Sequence, residues 1–285
     1  MLSRWGRAIS HLSLIGLRAS ARVQPSSFNA PLPVFLLHSD ICRGSLFATA
    51  TEPASHGPSS QSEVSLHRRF WSKPCSLALP PDSPLRIEDP KYEGFRKVML
   101  KLLLFYSKQS TNIRGANVLY SRIISQVDSA SIYDVFHLEK TFKTTFSLLV
   151  LHMWLCLRRL KDEGKEGTEF GQYLYEIYNH DLELRVSKAG VNLLLVKWMK
   201  ELEKIFYGNI VSYDAAMLPD AANDELPKSI WRNVFSDDGT PMPNGSAADS
   251  AQAMARYVRR EVACLSMTDG EAVFSGNLKF SPLDK

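Results

Sequence analysis

Few side chains in this chain of 285 residues have the type and spacing that chemistry requires. Glu176 and His180 are four residues apart on a predicted helix, but a di-iron bundle needs two Glu-x-x-His pairs. Asp181 and Glu183 lie two apart, so on one helix they point in different directions. The chain has no glycine-rich phosphate loop, no HExxH zinc motif and no GxSxG nucleophile elbow. The sequence therefore predicts no catalytic residue, no metal site and no cofactor, and we expect a protein that is not an enzyme.

His152 lies in a strongly apolar segment beside Trp154. A core or interface histidine whose ring nitrogens bond to the backbone is the usual explanation, and a haem or metal ligand is the alternative. Four cysteines show neither CxxC nor metal-ligand spacing. Cys156 lies in the same strongly apolar segment, so we predict a core thiol. The absence of a disulfide pattern is typical of a reducing compartment.

The net charge of +4 lies entirely at the N-terminus. Residues 1–71 hold seven arginines, no lysine and three acidic residues, whereas residues 72–285 hold 27 basic and 27 acidic residues. An Arg-rich, Ser-rich, acid-poor N-terminus with apolar residues at helical spacing is typical of a mitochondrial transit peptide. Arg69-Phe70-Trp71-Ser72 resembles a matrix-processing site. We therefore predict a disordered presequence over 1–71, cleaved after Trp71, and a linker over 72–88.

The elements that would position these residues are predicted to be helices, because apolar residues recur at i, i+3, i+4 and i+7. The first helix is expected to open at Asp89-Pro90, as N-cap and N1, and to reach about Ser107. Gly208 is expected to end the helix predicted over residues 191–206. Further helices are predicted over residues 113–127, 138–161, 168–187, 191–206, 213–217, 226–235 and 251–265.

The fold class predicted is therefore all-α, with one multi-helix bundle domain over residues 89–266. No alternating strand pattern of useful length is present. A loop over 236–249 and a C-terminal tail over 267–285 have no predicted role. The most apolar run, Phe146 to Leu157, is shorter than the roughly 20 residues of a membrane-spanning helix, so no transmembrane segment is expected.

Two basic clusters, Arg158-Arg159-Lys161 and Arg256-Arg259-Arg260, end or line predicted helices. A cation near a helix C-terminus is favourable on its own account, so a solvated helix face is one explanation. Contact with ribosomal RNA or an anionic lipid surface is the other.

Several short motifs occur in a characteristic order between residues 151 and 235. They are Leu151-His152-Met153-Trp154-Leu155, Arg158-Arg159-Leu160, Asp181-Leu182-Glu183-Leu184-Arg185, Phe206-Tyr207-Gly208, Ser212-Tyr213-Asp214-Ala215-Ala216 and Ile230-Trp231-Arg232-Asn233-Val234-Phe235. This order and spacing resemble the ubiquinol–cytochrome c chaperone family, over roughly residues 95–266. The Phe-Tyr-Gly and Trp-Arg-Asn stretches carry the resemblance in combination.

The resemblance implies a mitochondrial assembly factor for respiratory complex III, on the matrix side of the inner membrane and in peripheral contact with it. Such a protein binds nascent cytochrome b together with a small helical partner, near the mitochondrial ribosome, and is not an enzyme. A groove of aromatic and aliphatic side chains would shield apolar segments of the client. Two alternatives stay open: a helical haem- or quinone-binding carrier that uses His152, and a general ribosome-associated protein.

The resemblance also nominates site residues, either as fold-defining residues or as contacts. Gly208 is expected to supply a turn with positive φ. Asp214 is expected to cap the following helix or to pair with Arg185 or Arg232. The nominated residues are His152, Trp154, Arg158, Arg159, Asp181, Arg185, Phe206, Tyr207, Gly208, Tyr213, Asp214, Trp231 and Arg232.

Overall fold

The structure is a computed structural model, and it describes Leu66 and residues 69–88, 92–102, 105–190, 194–236, 240–243 and 245–283. Most of the predicted presequence and the Asp89-Pro90 pair lie outside the described residues. The described helices are α1 (Phe95–Leu102), α2 (Lys108–Val127), α3 (Ala130–Phe136), α4 (Phe142–Lys161), α5 (Gly164–Lys188), α6 (Leu195–Ala216), α7 (Glu225–Ile230), α8 (Ser246–Ser266) and α9 (Gly270–Ser275). A π-helical turn, Trp231–Phe235, follows α7 directly.

The predicted all-α helical bundle is confirmed for the described residues, which contain no β-strand. Helix α4 is central and packs against α2, α5, α6 and α8. Its first turn is held by a capping box, in which Thr141 and Thr144 satisfy each other's backbone N–H groups. Among the helices described, none is long and apolar enough to cross a membrane.

Two helix boundaries differ from the prediction because of glycine. Helix α1 begins at Phe95, since Gly94 has a φ of 63°, which a right-handed helix cannot contain. Helix α6 instead continues through Gly208, where a break was predicted, so the predicted helices 191–206 and 213–217 are one. Phe206, Ile210 and Tyr213 keep one face of α6 buried across the glycine. Their burial offsets the roughly 1 kcal/mol that a mid-helix glycine costs.

The segments on either side of the predicted helical domain pack onto it. Leu77 donates its N–H to Thr268 at 3.0 Å, and Leu79 donates to the carbonyl of Asn277 at 2.9 Å. Ala78 and Leu278 form an isolated antiparallel bridge. From the predicted C-terminal tail, α9 packs against α2, and the side chains of Leu278, Phe280 and Leu283 are buried. The folded body therefore extends from Leu66 to Leu283 among the residues described.

Candidate functional site

Asp214 on α6 gathers donors from α4. One carboxylate oxygen accepts the indole N–H of Trp154 at 2.8 Å, and the other accepts Lys161 Nζ at 2.8 Å. Arg158 Nη1 lies 3.4 Å from the first oxygen. The prediction that Asp214 caps a helix or pairs with Arg185 or Arg232 is wrong, because its carboxylate faces α4. The nominated residues Trp154, Arg158 and Asp214 thus form one cluster.

Asp181 and Arg185 form a second cluster between α5 and α2. Asp181 Oδ2 accepts the hydroxyl of Tyr120 at 2.7 Å and Arg185 Nε at 2.6 Å. Arg185 Nη2 lies 3.7 Å from Asp128 at the end of α2. Burial, reinforced by the hydrogen bond to Asp181, raises the pKa of Tyr120. These contacts tie two helices together with charge-assisted hydrogen bonds.

Phe206 and Tyr207 belong to an aromatic cluster between α5 and α6. The Phe206 ring is buried, with its centroid 5.0 Å from that of Tyr178 and 5.3 Å from that of Tyr175. Tyr207 lies at the edge of the cluster, half-buried. Tyr213, two helical turns after Phe206, is buried against the indole of Trp154 with ring centroids 5.3 Å apart. Such pairs contribute about 0.5–1.5 kcal/mol beyond their burial, so this cluster is mainly structural.

Gly208 does not make the predicted turn. It lies inside α6, exposed, and a Cβ added there would meet no atom within 4 Å. The prediction of a positive φ is wrong, because the helix continues. Packing within this chain therefore does not require glycine at position 208.

His152 is fully buried, and both of its ring nitrogens are hydrogen-bonded. Nδ1 donates to the carbonyl of Leu148 at 2.7 Å, and Nε2 lies 2.9 Å from the hydroxyl of Tyr257, which donates to it. Phe280 packs edge-on against the ring. Burial lowers the pKa of His152 to about 4, so the ring is neutral near pH 7. Neither nitrogen is available to bind a metal, which disfavours the haem-ligand alternative.

Trp231 and Arg232 lie on the π-helical turn after α7. The Trp231 indole donates to the carbonyl of Thr240 at 2.9 Å, and its ring stacks on Phe235. Arg232 is exposed and lies 3.4 Å from the hydroxyl of Ser212 on α6. This contact places Arg232 one helical turn from Gly208, so these two nominated residues share one surface.

The arginines of both basic clusters make contacts with other residues of this chain. Arg159 donates to the carbonyls of Leu265 and Thr268 at 2.9 and 3.0 Å and pairs with Glu163 at 2.7 Å. Arg158 and Lys161 contact Asp214, as described above. The second cluster is also engaged: Arg256 donates to the carbonyl of Leu66, Arg259 to that of Asn223 and Arg260 to Ser72 Oγ. These contacts reduce what either cluster offers to RNA or lipid.

A small pocket opens between the start of α4 and the end of α5. It has a volume of about 270 Å³, with an apolar floor that includes Phe142, Phe146 and Leu182. Arg185 and Lys140 contribute charge to its lining. This volume lies just below the range of about 300–1,000 Å³ that is typical of small-molecule pockets.

Comparison with known proteins decides the family. The model of the family described as "Ubiquinol-cytochrome C chaperone" matches residues 134–280, which is half of the chain. The chain belongs to the ubiquinol–cytochrome c chaperone family. The match begins later and ends later than the resemblance over residues 95–266 suggested, and it includes α9 and the bridge residue Leu278.

Two of the relatives of this chain described here are named for complex assembly. The "Ubiquinol-cytochrome c reductase complex assembly factor 1" of Homo sapiens is 26% identical over 229 residues, which are 78% of this chain and 72% of the relative. Its Xenopus laevis counterpart is 27% identical over 63% of this chain and 86% of its own length. "Protein CBP3, mitochondrial" of Saccharomyces cerevisiae is 25% identical over 53% of this chain and 44% of its own.

The fold is shared with a bacterial relative. The crystal structure of the Cbp3 homolog from Brucella abortus aligns with a TM-score of 0.54 and 24% identity, covering 65% of this chain and 98% of the bacterial chain. The two chains therefore share the same helical fold over the aligned residues.

Some residues that hold the nominated residues in place were not found from sequence. Tyr257 holds His152, and Tyr120 holds Asp181, yet both look like ordinary members of apolar helix faces. Glu261 is fully buried, 3.4 Å from Arg260, and accepts the backbone N–H of Ser281 at 3.3 Å. The feature of the sequence that could have identified Glu261 is its position on the apolar side of α8. Burial raises the pKa of Glu261.

Proposed function

We propose that this chain is an assembly factor for mitochondrial respiratory complex III, which holds newly made cytochrome b together with a small helical partner. Its place is the matrix side of the inner membrane, near the mitochondrial ribosome and in peripheral contact with the bilayer. The observation that carries the proposal is the family match over residues 134–280. Relatives named as complex assembly factors, at 24–28% identity, support the same role.

The protein acts by binding rather than by catalysis. The polar side chains that the motifs nominate are used between helices, as the Trp154–Asp214 and Arg185–Asp181 contacts illustrate. His152 is a core residue with a depressed pKa and two hydrogen bonds. A haem or quinone carrier is less well supported, because both ring nitrogens of His152, the residue that this alternative would use, are hydrogen-bonded within the protein.

The exposed members of the motif set contribute the partner surface. Gly208 and Arg232 lie on one surface of α6 and the π-helical turn, and Val211, three residues after Gly208 on α6, has a half-exposed side chain. A glycine that its own chain does not need allows close approach of another helix. We call Gly208, Val211 and Arg232 the α6 surface. The buried members, such as Trp154 and Phe206, hold α6 in place beneath it.

We propose that the transit peptide ends before Leu66 instead of after Trp71. Leu66 is buried, and the half-buried Phe70 stacks on Phe136 with ring centroids 5.7 Å apart. Arg69 donates to the carbonyl of Leu283 at 2.6 Å. Cleavage after Trp71 would remove these contacts from the mature protein. N-terminal sequencing of the chain from mitochondria tests this: a first residue at or before position 66 is expected, and Ser72 would contradict it.

Co-purification with mass spectrometry tests the function. The tagged full chain is expected to recover one small helical protein, cytochrome b and mitochondrial ribosomal proteins. Val211→Asp should reduce recovery of the small partner at least about fivefold, since a charge is placed in an apolar contact. Val196→Asp, on the same helix and 72% exposed, is the matched control and should leave recovery unchanged. Recovery of many nascent chains without enrichment of cytochrome b would contradict the proposal.

A further inference from the structure

Helix α1 presents its apolar side chains to solvent. Phe95 and Leu102 are 78% and 74% exposed, and Val98 and Met99 are 57% and 41% exposed. These four lie at i, i+3, i+4 and i+7, so they form one stripe along the helix. A surface helix normally turns such a stripe towards the core, and the sequence pattern alone would place it there. In α1 the less exposed apolar side chain is that of Leu100, outside the stripe.

Cations border the exposed stripe on both sides. On a helical projection, Arg96 lies to one side of the stripe and Lys101 to the other, and both side chains are exposed. From Gly94 to Val127 the chain contains six basic residues and no acidic residue. Such a segment has a strongly positive local charge, although residues 72–285 as a whole are neutral.

The more distant cations of this acid-free segment have partners within the protein. Lys108 pairs with Glu166, and Arg114 donates to the carbonyl of Phe105 at 2.9 Å and lies over its ring. Arg122 donates to the carbonyl of Gly276. The exposed positive charge beside the apolar stripe is therefore concentrated on α1 itself.

We infer that α1 docks on an anionic lipid surface, with its apolar stripe in the headgroup–acyl boundary and its cations among the headgroups. An apolar face bordered by Lys and Arg is the pattern of interfacial helices, and anionic headgroups provide the complementary charge over an extended plane. Eight residues form a helix about 12 Å long. Because so short a helix buries little apolar area in the bilayer, the docking is reversible. The inference rests on the proposed inner-membrane location and names the element that makes the contact.

Vesicle flotation of the full-length protein tests this inference. The probes are vesicles of phosphatidylcholine alone and of phosphatidylcholine with phosphatidylglycerol. The protein is expected to float with the anionic vesicles, and less so as salt is raised. Phe95→Ser with Leu102→Ser, and separately Arg96→Glu with Lys101→Glu, should each weaken binding at least about tenfold. All four side chains are exposed, so the thermal unfolding midpoint should not change.

Leu194→Ser with Val196→Ser is the matched control, since both side chains are exposed apolar residues at the start of α6. This pair should bind anionic vesicles like the unmodified protein. Equal binding by either α1 variant, equal loss in the control, or equal binding to neutral vesicles would overturn the inference. So would α1 variants that keep vesicle binding and lose only the small partner, because the stripe would then be a protein contact. The assay contains no cytochrome b, so its failure would leave the assembly function standing.

Discussion

At the scale of single residues, Asp214 shows how the motif residues hold α4 and α6 together. It accepts hydrogen bonds from Trp154 and Lys161 and lies close to Arg158. The motif pattern nominated Trp154, Arg158 and Asp214, but it could not predict this pairing, because helical periodicity defines a buried face without saying which helix covers it. Arg185 and Arg232 were equally reasonable partners from sequence, but Arg185 binds Asp181 and Arg232 lies near Ser212.

Trp154→Phe should lower the free energy of unfolding by about 1–3 kcal/mol, because Asp214 loses a well-placed donor while the ring is mostly retained. Urea unfolding followed by circular dichroism measures the change. Trp71→Phe is the control: its side chain is 72% exposed, and we expect a change within about 0.5 kcal/mol. Equal losses in the two variants would contradict a specific role for the Trp154–Asp214 contact.

The depressed pKa of His152 predicts a pH dependence of stability. The unfolded histidine binds a proton below about 6.5, whereas burial prevents this in the folded state until about pH 4. The contribution of His152 is therefore complete above pH 6.5 and falls by up to about 3 kcal/mol as the pH drops to 4. In His152→Phe the free energy of unfolding should depend less on pH in this window.

The difference between the two pH profiles isolates His152. Glu261 has a raised pKa, so its contribution is complete below the carboxyl's ordinary value and is lost as the pH rises through the folded value. This opposing effect is present in both proteins and cancels in the difference. His152→Phe also leaves the Tyr257 hydroxyl without its acceptor, so a uniform loss of stability is expected as well. Parallel profiles would show that His152 is not buried in its neutral form.

Gly208→Ala should raise the free energy of unfolding by up to about 1 kcal/mol, because alanine favours a helix and nothing obstructs its Cβ. A thermal melt of the purified chain measures this. A clear loss of stability would instead support the positive-φ turn that the sequence suggested.

At the scale of elements, the N-terminal segment before α1 acts as a strap across α8. Phe70 packs against Tyr257 and Phe136, Arg260 binds Ser72 Oγ and Arg256 binds the carbonyl of Leu66. Phe70→Ala should therefore lower the free energy of unfolding by about 1–3 kcal/mol, less than a fully buried phenylalanine would. Chemical denaturation measures it, with Leu218→Ala, an exposed side chain outside the strap, as the control. No difference between the two variants would contradict the strap.

Helix positions were largely predictable from apolar periodicity, whereas helix ends and the direction of α1 were not. The pattern found the segments of α2, α4, α5 and α8 because each has one buried face. The predicted break at Gly208 was wrong, since a helix can contain a glycine where buried packing offsets its low helix propensity. The pattern also could not tell that the stripe of α1 faces outward, because periodicity is the same for a stripe that meets the core and one that meets a membrane.

At the scale of the whole molecule, the net charge is distributed unevenly along the chain. The net +4 lies in residues 1–71, and the remaining residues balance to zero. Within that neutral part, the predicted Arg clusters are used to join helices and to hold the strap, whereas α1 keeps exposed cations beside an exposed apolar stripe. The protein therefore has a locally basic edge on an otherwise balanced helical body.

The most direct test of the account is the complex III content of mitochondria from cells that lack this protein. Native gel electrophoresis, with labelling of mitochondrial translation products, measures both the assembled complex and new cytochrome b. We predict that complex III is strongly depleted and that the other respiratory complexes still assemble. Expression of the full chain should restore complex III, whereas expression of the Val211→Asp variant should not. Normal complex III and cytochrome b in the deleted cells would contradict the central claim.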